Sequence, residues 1–317
     1  MVNILSVVVC LYNEELVIPS FWNSFSKSIS KLKNVDKVEL IWVNDGSVDN
    51  TQKEINSIID LNQNQGKIKH TSIEFSKNYG HESAMIAGVD NATGDAIICM
   101  DCDLQHPPEK IESMVEKYLN DFDIVLAYRK DREDNSFVKN KLSGLFYNFL
   151  NSVSSFKFNK NSSDFFLISK QVQQILINNF RERNRFLRGY IQIVGFNLTY
   201  IEYKAPKRAA GESNYSFKKL LKLSFDAIFS FSNKPLLLAS YISISFLFFT
   251  ASMGVYSLIN YFIGDKPPSG YTTLILFNSI CFSLLFLILA ILSIYFSKVI
   301  GEIRERPIYL IKNIVKK

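Results

Sequence analysis

Two long apolar stretches near the carboxyl terminus most constrain the fold of this 317-residue chain. Leu236 to Ile263 and Tyr271 to Phe296 contain no Asp, Glu, Lys, Arg or His. Each is longer than the ~20 residues that an α-helix needs to cross a bilayer, and soluble helices seldom run so far without a polar face. The sequence therefore predicts a hairpin of two transmembrane helices, joined by the short linker 264–270.

Basic residues flank both apolar stretches, so the net charge of +6 is largely a juxtamembrane feature. They are Lys204, Lys207, Arg208, Lys218, Lys219, Lys222 and Lys234 before the first stretch, and Lys298, Arg304, Arg306, Lys312, Lys316 and Lys317 after the second. By the positive-inside rule both termini are expected in the cytoplasm. This charge suits anionic headgroups or a phosphate-bearing lipid better than nucleic acid, which is not an expected partner.

Residues 1–130 alternate between apolar runs and helical patterns. The runs are Ile4 to Leu11, Val38 to Val43, Ile68 to Phe75, Ala96 to Met100 and Ile124 to Ala127, and the helical patterns lie near Glu15 to Leu32, Val48 to Leu61, His81 to Asn91 and Glu109 to Asn120. This βαβ series predicts an α/β fold with a largely parallel sheet. Its start, Met1 to Tyr12, is predicted as the first strand and not as a signal peptide. No Gly-x-Gly-x-x-Gly follows that strand, which leaves a dinucleotide site without support.

Carboxylates follow the fourth apolar run directly. Asp101 and Asp103 are one residue apart, and Pro107-Pro108 then closes the loop. Closely spaced carboxylates at the carboxyl end of a strand suit a hard divalent cation that also holds phosphate oxygens. A solvated acidic turn is the alternative for such a triplet. Polar residues also follow the first two runs, at Tyr12 to Glu15 and Asn44 to Ser47, which favours a shared ligand crevice.

The four cysteines, Cys10, Cys99, Cys102 and Cys281, indicate reduced thiols. Cys99 and Cys102 have Cys-x-x-Cys spacing, but no second pair completes a zinc site.

Several motifs carry a family resemblance. They are Asn44-Asp45-Gly46-Ser47, then Lys77-Asn78-Tyr79-Gly80-His81, then Gly94-Asp95 and Met100-Asp101-Cys102-Asp103-Leu104-Gln105-His106-Pro107-Pro108-Glu109. Together they resemble the polyprenyl-phosphate glycosyltransferases, inverting GT-A enzymes that include dolichyl-phosphate mannose synthase and the bactoprenol glucosyltransferases. The resemblance covers nearly the whole chain, since the two apolar stretches match the bactoprenol glucosyltransferase layout. Where the family often has an arginine after Asp-Phe, this chain has Phe166.

The resemblance implies roles for individual residues. The nucleotide-sugar contacts would be Tyr12, Glu14, Asp45, Asp101, Arg185, Arg208 and Ser213, with Arg188 in the same loop that closes over the pyrophosphate. Asp101 and Asp103 would hold Mg²⁺ or Mn²⁺, and Gln105 would lie near the sugar. Asp164 inherits the place of a candidate catalytic base. Arg129 and Arg132 would bind the lipid phosphate, although a solvated charge run is the plain alternative for that loop.

The resemblance also implies an organisation and partners. Residues 1–215 would form a GT-A, Rossmann-like catalytic domain, 216–234 a juxtamembrane amphipathic helix, 235–297 the two transmembrane helices and 298–317 a basic cytoplasmic tail. An ordinary packed helix is an equal alternative for Phe217 to Phe231. The expected protein is a multi-pass, homotetrameric enzyme of the inner membrane that uses a UDP-sugar and polyprenyl phosphate in cell-surface glycan modification, such as that of the O-antigen of lipopolysaccharide. Glucose is the expected sugar, and galactose, N-acetylhexosamine, amino-arabinose and mannose are open alternatives. A membrane scaffold without catalytic activity is the alternative function.

Overall fold

The computed structural model describes residues 1–62, 66–129, 162–181, 187–204, 234–263 and 270–317. The strands are β1 Val2–Leu11, β2 Val35–Asn44, β3 Ile68–Phe75, β4 Ala96–Asp101, β5 Ile124–Arg129, β6 Ser162–Ser169, β7 Leu198–Tyr203 and β8 Ile311–Lys316. The helices are α1 Ile18–Lys31, α2 Thr51–Asn62, α3 His81–Asn91, α4 Lys110–Leu119, α5 Lys170–Asn179, α6 Leu187–Ile193, α7 Lys234–Ile263 and α8 Tyr271–Ile303. The five strands and four helices expected within residues 1–130 are all present.

One sheet contains all eight described strands, in the order β7-β5-β6-β4-β1-β2-β3-β8. Strands β4, β1, β2 and β3 are parallel neighbours, as the βαβ pattern predicts. Strand β6 enters antiparallel between β4 and β5, and β7 pairs parallel with β5. The predicted α/β, mostly parallel sheet is thus confirmed. The antiparallel strands are β6, between β4 and β5, and β8, at the edge beside β3.

The central strand β1 is apolar almost throughout because helices cover both faces of a parallel sheet. Helix α1 packs Ile18, Phe21, Phe25 and Ile29 inward, a spacing of three or four residues that forms one helical face. Helix α3 is buried along most of its length, and a Cβ on Gly88 would collide with Val8 of β1. Close packing of α3 on β1 therefore requires the glycine.

The last strand differs from the sequence-based expectation, which treated residues 298–317 as a basic tail. Helix α8 continues to Ile303, and Ile311–Lys316 then pairs antiparallel with β3 at the edge of the sheet. Two of the tail's lysines make ion pairs there: Lys312 lies 2.6 Å from Glu74, and Lys317 lies 2.6 Å from Asp60. Five of the six residues of β8 are exposed, and its lysines fit an edge strand that faces solvent.

The described elements fall into two units, one with all the strands and helices α1 to α6, the other with α7 and α8. Many large apolar side chains of α7 and α8 are exposed, among them Phe248, Tyr256, Phe282, Phe286 and Phe296. Within the described part of the chain, one stretch, Ile280–Ile303, meets the length and composition needed to cross a membrane. The sequence predicts two such stretches, and the second stays a prediction. The expected boundary near residue 215 and the amphipathic segment 217–231 lie outside the described residues.

Candidate active site

The ends of three parallel strands meet at one edge of the sheet. In the register, Leu11 of β1 pairs with Asn44 of β2, and Cys10 of β1 pairs with Asp101 of β4. The residues that follow these positions are therefore brought to a common edge, as the sequence predicts.

The pKa values of the thiols beneath this edge are raised by burial and by the carboxylates that surround them. Burial raises the pKa of the Cys10 thiol, and the Cys99 thiol and three carboxylates raise it further. Those carboxylates are Asp101, Asp164 and Asp45. Burial likewise raises the pKa of Cys102, with contributions from Glu14, Asp103 and Asp101. Both thiols are held protonated, and the carboxylates that the sequence analysis selected from separate segments lie close enough to act on shared groups.

Asp45 is 3% exposed, and its carboxylate is bound by main-chain donors. The Tyr79 N–H donates to Oδ1 at 2.6 Å, and the Gly80 N–H donates to Oδ2 at 2.9 Å. Burial raises the pKa of Asp45, although both N–H groups oppose that shift. The next residue, Gly46, has φ +66°, and a Cβ there would collide with the main chain of Lys77. The turn after β2 and the 77–80 loop are thus closely packed and hydrogen-bonded to each other.

The turn after β1 is locked onto the start of α2. Asn13 has φ 56°, and its N–H donates to Ser47 Oγ at 3.0 Å. The Glu14 N–H donates to Thr51 Oγ1 at 2.8 Å. These bonds fix the backbone under Tyr12, whose side chain is 46% exposed at the edge of the site. Tyr12 is thus held at an exposed position of this edge.

The two carboxylates of the Asp-x-Asp triplet have different surroundings. Asp103 is 7% exposed, and its Oδ1 accepts the Gln105 N–H at 3.0 Å. Asp101 is more open, with Oδ1 3.4 Å from His81 Nε2 and Oδ2 3.5 Å from His106 Nδ1. The Asp101 N–H also donates to His106 Nδ1 at 2.9 Å. Since that nitrogen accepts, the neutral ring carries its proton on Nε2.

His106 is held in place by aromatic contacts. Its ring stacks on Phe165 at 5.1 Å between centroids, and it meets Tyr203 edge-on at 6.1 Å. This buried ring sets the backbone turn at Asp101, so it is a support for the carboxylate pair and not a surface residue of the loop.

Asp164 lies in β6 and forms an ion pair with Arg188 at the start of α6. Arg188 Nη2 donates to Asp164 Oδ2 at 3.1 Å, and Nε lies 2.9 Å from Oδ1 in a charge contact that is not a hydrogen bond. The resemblance implied that Arg188 closes over the donor pyrophosphate; here its guanidinium is engaged by the candidate base. The pair makes Asp164 a fixed carboxylate, a geometry that favours orienting a ligand. The neighbouring Phe166 is fully buried in the core.

His81 and Glu82, at the start of α3, complete this cluster. His81 Nε2 lies 3.9 Å from Asp164 Oδ2, in addition to its contact with Asp101. Desolvation lowers the pKa of His81, but Asp101, Asp164 and Glu82 outweigh it and raise the pKa overall. Glu82 Oε2 accepts the Leu187 N–H at 3.1 Å. Burial and the charge of Asp164 raise the pKa of Glu82 to about 7, against the effects of the Leu187 N–H, Arg188 and His81.

His81, Glu82 and His106 were not among the predicted site residues. His81 and His106 stand inside the quoted motifs, and their position beside strand ends was the available indication. Glu82 had no such indication, because its partner Leu187 is 105 residues away.

Arg129, expected to bind the lipid phosphate, ends β5 opposite Tyr203 of β7. Burial raises the pKa of Tyr203, while a hydrogen bond with Ser163 and the charge of Arg129 oppose the shift. Arg129 Nε is buried without a hydrogen-bond partner in the described ranges. The other predicted basic and loop contacts, Arg132, Arg185, Arg208 and Ser213, lie outside the described residues.

The donor set at the strand ends fits a divalent cation of the Mg²⁺ or Mn²⁺ type. Asp101 and Asp103 offer carboxylate oxygens, the ligands that such ions prefer. Within the described residues, no group of three His, Cys, Asp or Glu side chains forms a ready cage. Mg²⁺ is commonly held by one or two carboxylates together with substrate phosphates and water, and the more exposed Asp101 beside the buried Asp103 matches that mode.

The α/β sheet and the carboxylates gathered at its carboxyl edge define the class as an α/β enzyme with a strand-end site. A profile of glycosyl transferase family 2 matches residues 6–176, and the chain belongs to that family. It is therefore a glycosyltransferase, as the motifs predicted.

Relatives match over nearly the full length. The chain is 34% identical to the bactoprenol glucosyl transferase of Shigella phage SfV over 314 residues, 98% of each protein. It is 35% identical to an uncharacterised glycosyltransferase, YkcC, of Bacillus subtilis (strain 168), over 97% of this chain and 93% of the relative. The predicted resemblance to the bactoprenol glucosyltransferases is thus confirmed.

Among solved structures, glucosyl-3-phosphoglycerate synthase from Mycobacterium tuberculosis, in complex with Mn²⁺, UDP-glucose and phosphoglyceric acid, aligns with a TM-score of 0.44. It is 16% identical, and the alignment covers 72% of this chain and 78% of that one.

Proposed function

We propose that this chain is a membrane-bound inverting glycosyltransferase that moves glucose from UDP-glucose to polyprenyl phosphate. The observation that carries this proposal is the 34% identity to a bactoprenol glucosyl transferase over 98% of both proteins. Because that similarity includes the apolar helices as well as the strand-end site, it supports the lipid acceptor along with the chemistry. The product would be a polyprenyl-phosphate-glucose that donates sugar to a cell-surface glycan.

At the strand ends, Asp101 and Asp103 would hold Mg²⁺ or Mn²⁺ against the donor diphosphate. When bound, such an ion stabilises the negative charge that builds on the nucleotide leaving group. Tyr12, Glu14 and Asp45 would border the nucleoside, with Asp45 acting through the backbone it fixes. Gln105, whose main chain is bonded to Asp103, would lie beside the sugar.

Asp164 would orient the acceptor more than deprotonate it. A phosphate monoester has its second pKa near 6, so the lipid phosphate is mostly dianionic at neutral pH and already nucleophilic. Arg188 donates a hydrogen bond to one oxygen of Asp164 and lies in charge contact with the other, which suits a positioning carboxylate. Arg129 has a buried Nε without a described partner and would contribute positive charge for the acceptor phosphate, together with Arg132.

The path of the chain supports an even number of membrane crossings. Strand β7 before the two apolar helices and strand β8 after them belong to the same sheet. If α8 crosses the membrane back to this sheet, the chain has crossed once before it, and α7 is the described helix that would make that first crossing. Several α7 hydroxyls donate within the helix, for example Ser240 to the Leu236 carbonyl at 3.1 Å, which lowers the cost of placing them in lipid. We therefore propose a two-helix hairpin in the inner membrane, with both termini cytoplasmic. The homotetramer that the family resemblance implies stays a prediction.

The decisive experiment is mass spectrometry of lipid products. Full-length protein in detergent is incubated with undecaprenyl phosphate, Mn²⁺ or Mg²⁺, and a panel of UDP- and GDP-sugars. We expect one hexosyl-phosphoryl lipid, formed from UDP-glucose. A product formed instead from another donor, such as UDP-galactose, a UDP-N-acetylhexosamine, a UDP-amino-arabinose or GDP-mannose, would keep the reaction and correct the sugar. Nucleotide binding without a glycolipid from any donor would contradict the proposal and favour a membrane scaffold.

A further inference from the structure

The segment after helix α8 contacts the loop that fixes Asp45. Tyr309 stacks its ring on Phe75, the last residue of β3, with centroids 5.2 Å apart and planes 10° apart. Its hydroxyl donates to Asp90 Oδ2 at 2.8 Å, and Asp90 is itself paired with Arg181 at 2.8 Å. Tyr309 is thus anchored at both its ring and its hydroxyl.

Contacts continue from Tyr309 to the strand-end site. The ring of Phe75 meets the ring of Tyr79 edge-on, with centroids 5.8 Å apart, and the Ser76 N–H donates to the Leu310 carbonyl at 3.0 Å. The Tyr79 N–H is one of the two donors that hold Asp45. Residues 309 and 310 therefore support the outer side of the 76–80 loop, whose inner side holds the buried carboxylate.

We propose that Tyr309 is a positioning residue for the nucleotide donor, acting through Phe75 and the 76–80 loop on Asp45. This rests on the proposed function, since it concerns the donor pocket of that reaction. Gly80 has φ +96°, a conformation that glycine adopts without strain, so the contacts of the loop with Asp45 and with residues 309 and 310 are what hold it in place. Loss of the stacked ring frees the loop to move away from Asp45, and the backbone under the nucleoside loses its definition. The segment that follows the apolar helices then helps to form the donor site.

The test compares variants of the full-length protein in detergent. Tyr309→Leu removes the stacked ring, and Tyr309→Phe keeps the ring while removing the bond to Asp90. Lys317→Gln is the matched control, because it removes an ion pair of the same segment at the other end of β8. The readouts are the Kd for UDP with Mn²⁺ by calorimetry, the KM values for donor and acceptor, and the thermal midpoint.

We expect Tyr309→Leu to raise the UDP Kd and the donor KM about three- to ten-fold, the range that loss of one aromatic pair supports. The acceptor KM and the kcat at saturating donor should change less than about two-fold, since the lipid site and the reacting groups are untouched. Tyr309→Phe and Lys317→Gln should bind UDP as the wild type does. A role limited to stability would lower the thermal midpoint without separating the two KM values.

Three outcomes would overturn the inference: an unchanged UDP Kd in Tyr309→Leu, an equal Kd change in Lys317→Gln, or an equal rise in both KM values. If Tyr309→Leu does not fold, Phe75→Leu takes its place, because it removes the ring between Tyr309 and Tyr79 while keeping an apolar side chain; an unchanged Kd there also overturns the inference. Wild-type protein that binds no nucleotide would overturn the proposed function and this inference with it, whereas normal binding by Tyr309→Leu overturns the inference alone.

Discussion

Two histidines at opposite ends of the sheet have opposite electrostatic surroundings. His70, near the start of β3, is 2% exposed, and burial lowers its pKa to about 4. Its Nδ1 accepts the Trp42 indole N–H at 3.2 Å, and its ring lies against Trp22. His81, beyond the end of the same strand, lies among carboxylates that raise its pKa despite desolvation. Burial alone produces a neutral structural group, whereas burial beside gathered carboxylates produces an electrostatically tuned site.

The largest effect is expected at the carboxyl end of the strands, where the residues serve the chemistry more than the fold. Asp103→Asn should lower metal-dependent transfer by about 100-fold or more, equal to ~3 kcal/mol of lost transition-state stabilisation. The reason is that the amide keeps the shape of the side chain but lacks the charge that a divalent cation needs. The measurement is kcat/KM for donor at saturating Mn²⁺, with the thermal midpoint recorded in parallel.

Asp36→Asn is the matched control for that variant, since Asp36 is an exposed carboxylate at the opposite end of β2. It should leave transfer unchanged. Near-normal turnover by Asp103→Asn would refute the metal role, and an equal loss in both variants would refute the distinction between the two ends.

The second effect concerns stability at the amino end. Because the folded-state pKa of His70 is about 4 and the unfolded value is near 6.5, the unfolded chain binds the proton more tightly. Stability is therefore fully present above pH ~6.5 and is lost as pH falls toward ~4. Between pH 7 and pH 5 the loss from this group should be about 2 kcal/mol.

His70→Gln tests this prediction while keeping an acceptor for Trp42. Thermal unfolding in detergent at pH 7 and pH 5 should show a smaller drop in the variant than in the wild type, by about 4–8 °C. If both proteins lose the same number of degrees, another group is responsible for the acid sensitivity.

A smaller effect is expected from the ion pair between Asp164 and Arg188. Arg188→Lys keeps the positive charge but cannot hold both carboxylate oxygens, so kcat should fall about ten-fold, or ~1.4 kcal/mol, through loss of orientation. The control is Arg181→Lys, which alters a second arginine–carboxylate pair, away from the strand ends, in which Arg181 Nη1 donates to both oxygens of Asp90. Equal kcat values for the two variants would show that Asp164 needs only a nearby charge.

How far the sequence could predict this molecule differs between backbone and side chains. The alternation of apolar runs located β1 to β5, and the bounds of β3 and α3 agree with the structure at both ends. Strand β8 was not predicted because Ile311–Lys316 is short and basic. Its partner β3 lies about 240 residues earlier in the chain, beyond the reach of any local sequence pattern. The apolar helices before it also favoured the interpretation as a simple tail.

The site shows the same limit. Asp45, Asp101 and Asp103 could be selected because each follows a strand, and strand ends converge in a parallel sheet. The engagement of Arg188 by Asp164 could not, because it depends on where β6 enters the sheet antiparallel beside β4. Likewise, the partners of Asp45 are main-chain N–H groups, which leave no trace in residue type.

The smallest expected effect returns to the carboxyl end, where Glu82 has its pKa raised to about 7 by burial and by Asp164. The folded protein binds this proton more tightly than the unfolded chain, so the contribution to stability is present below the unfolded value near 4.5 and is lost as pH rises through ~7, the reverse of the His70 slope. Glu82→Gln stays neutral and still accepts the Leu187 N–H. The free energy of unfolding of this variant should equal that of the wild type at pH 5 and exceed it at pH 8 by about 1 kcal/mol. The expected difference is small because solvent screens the partly exposed side chain. Equal differences in thermal midpoint at both pH values would mean that Glu82 is already ionised at pH 5, and the carboxyl end would then lack the raised acid that sets it apart from the amino end.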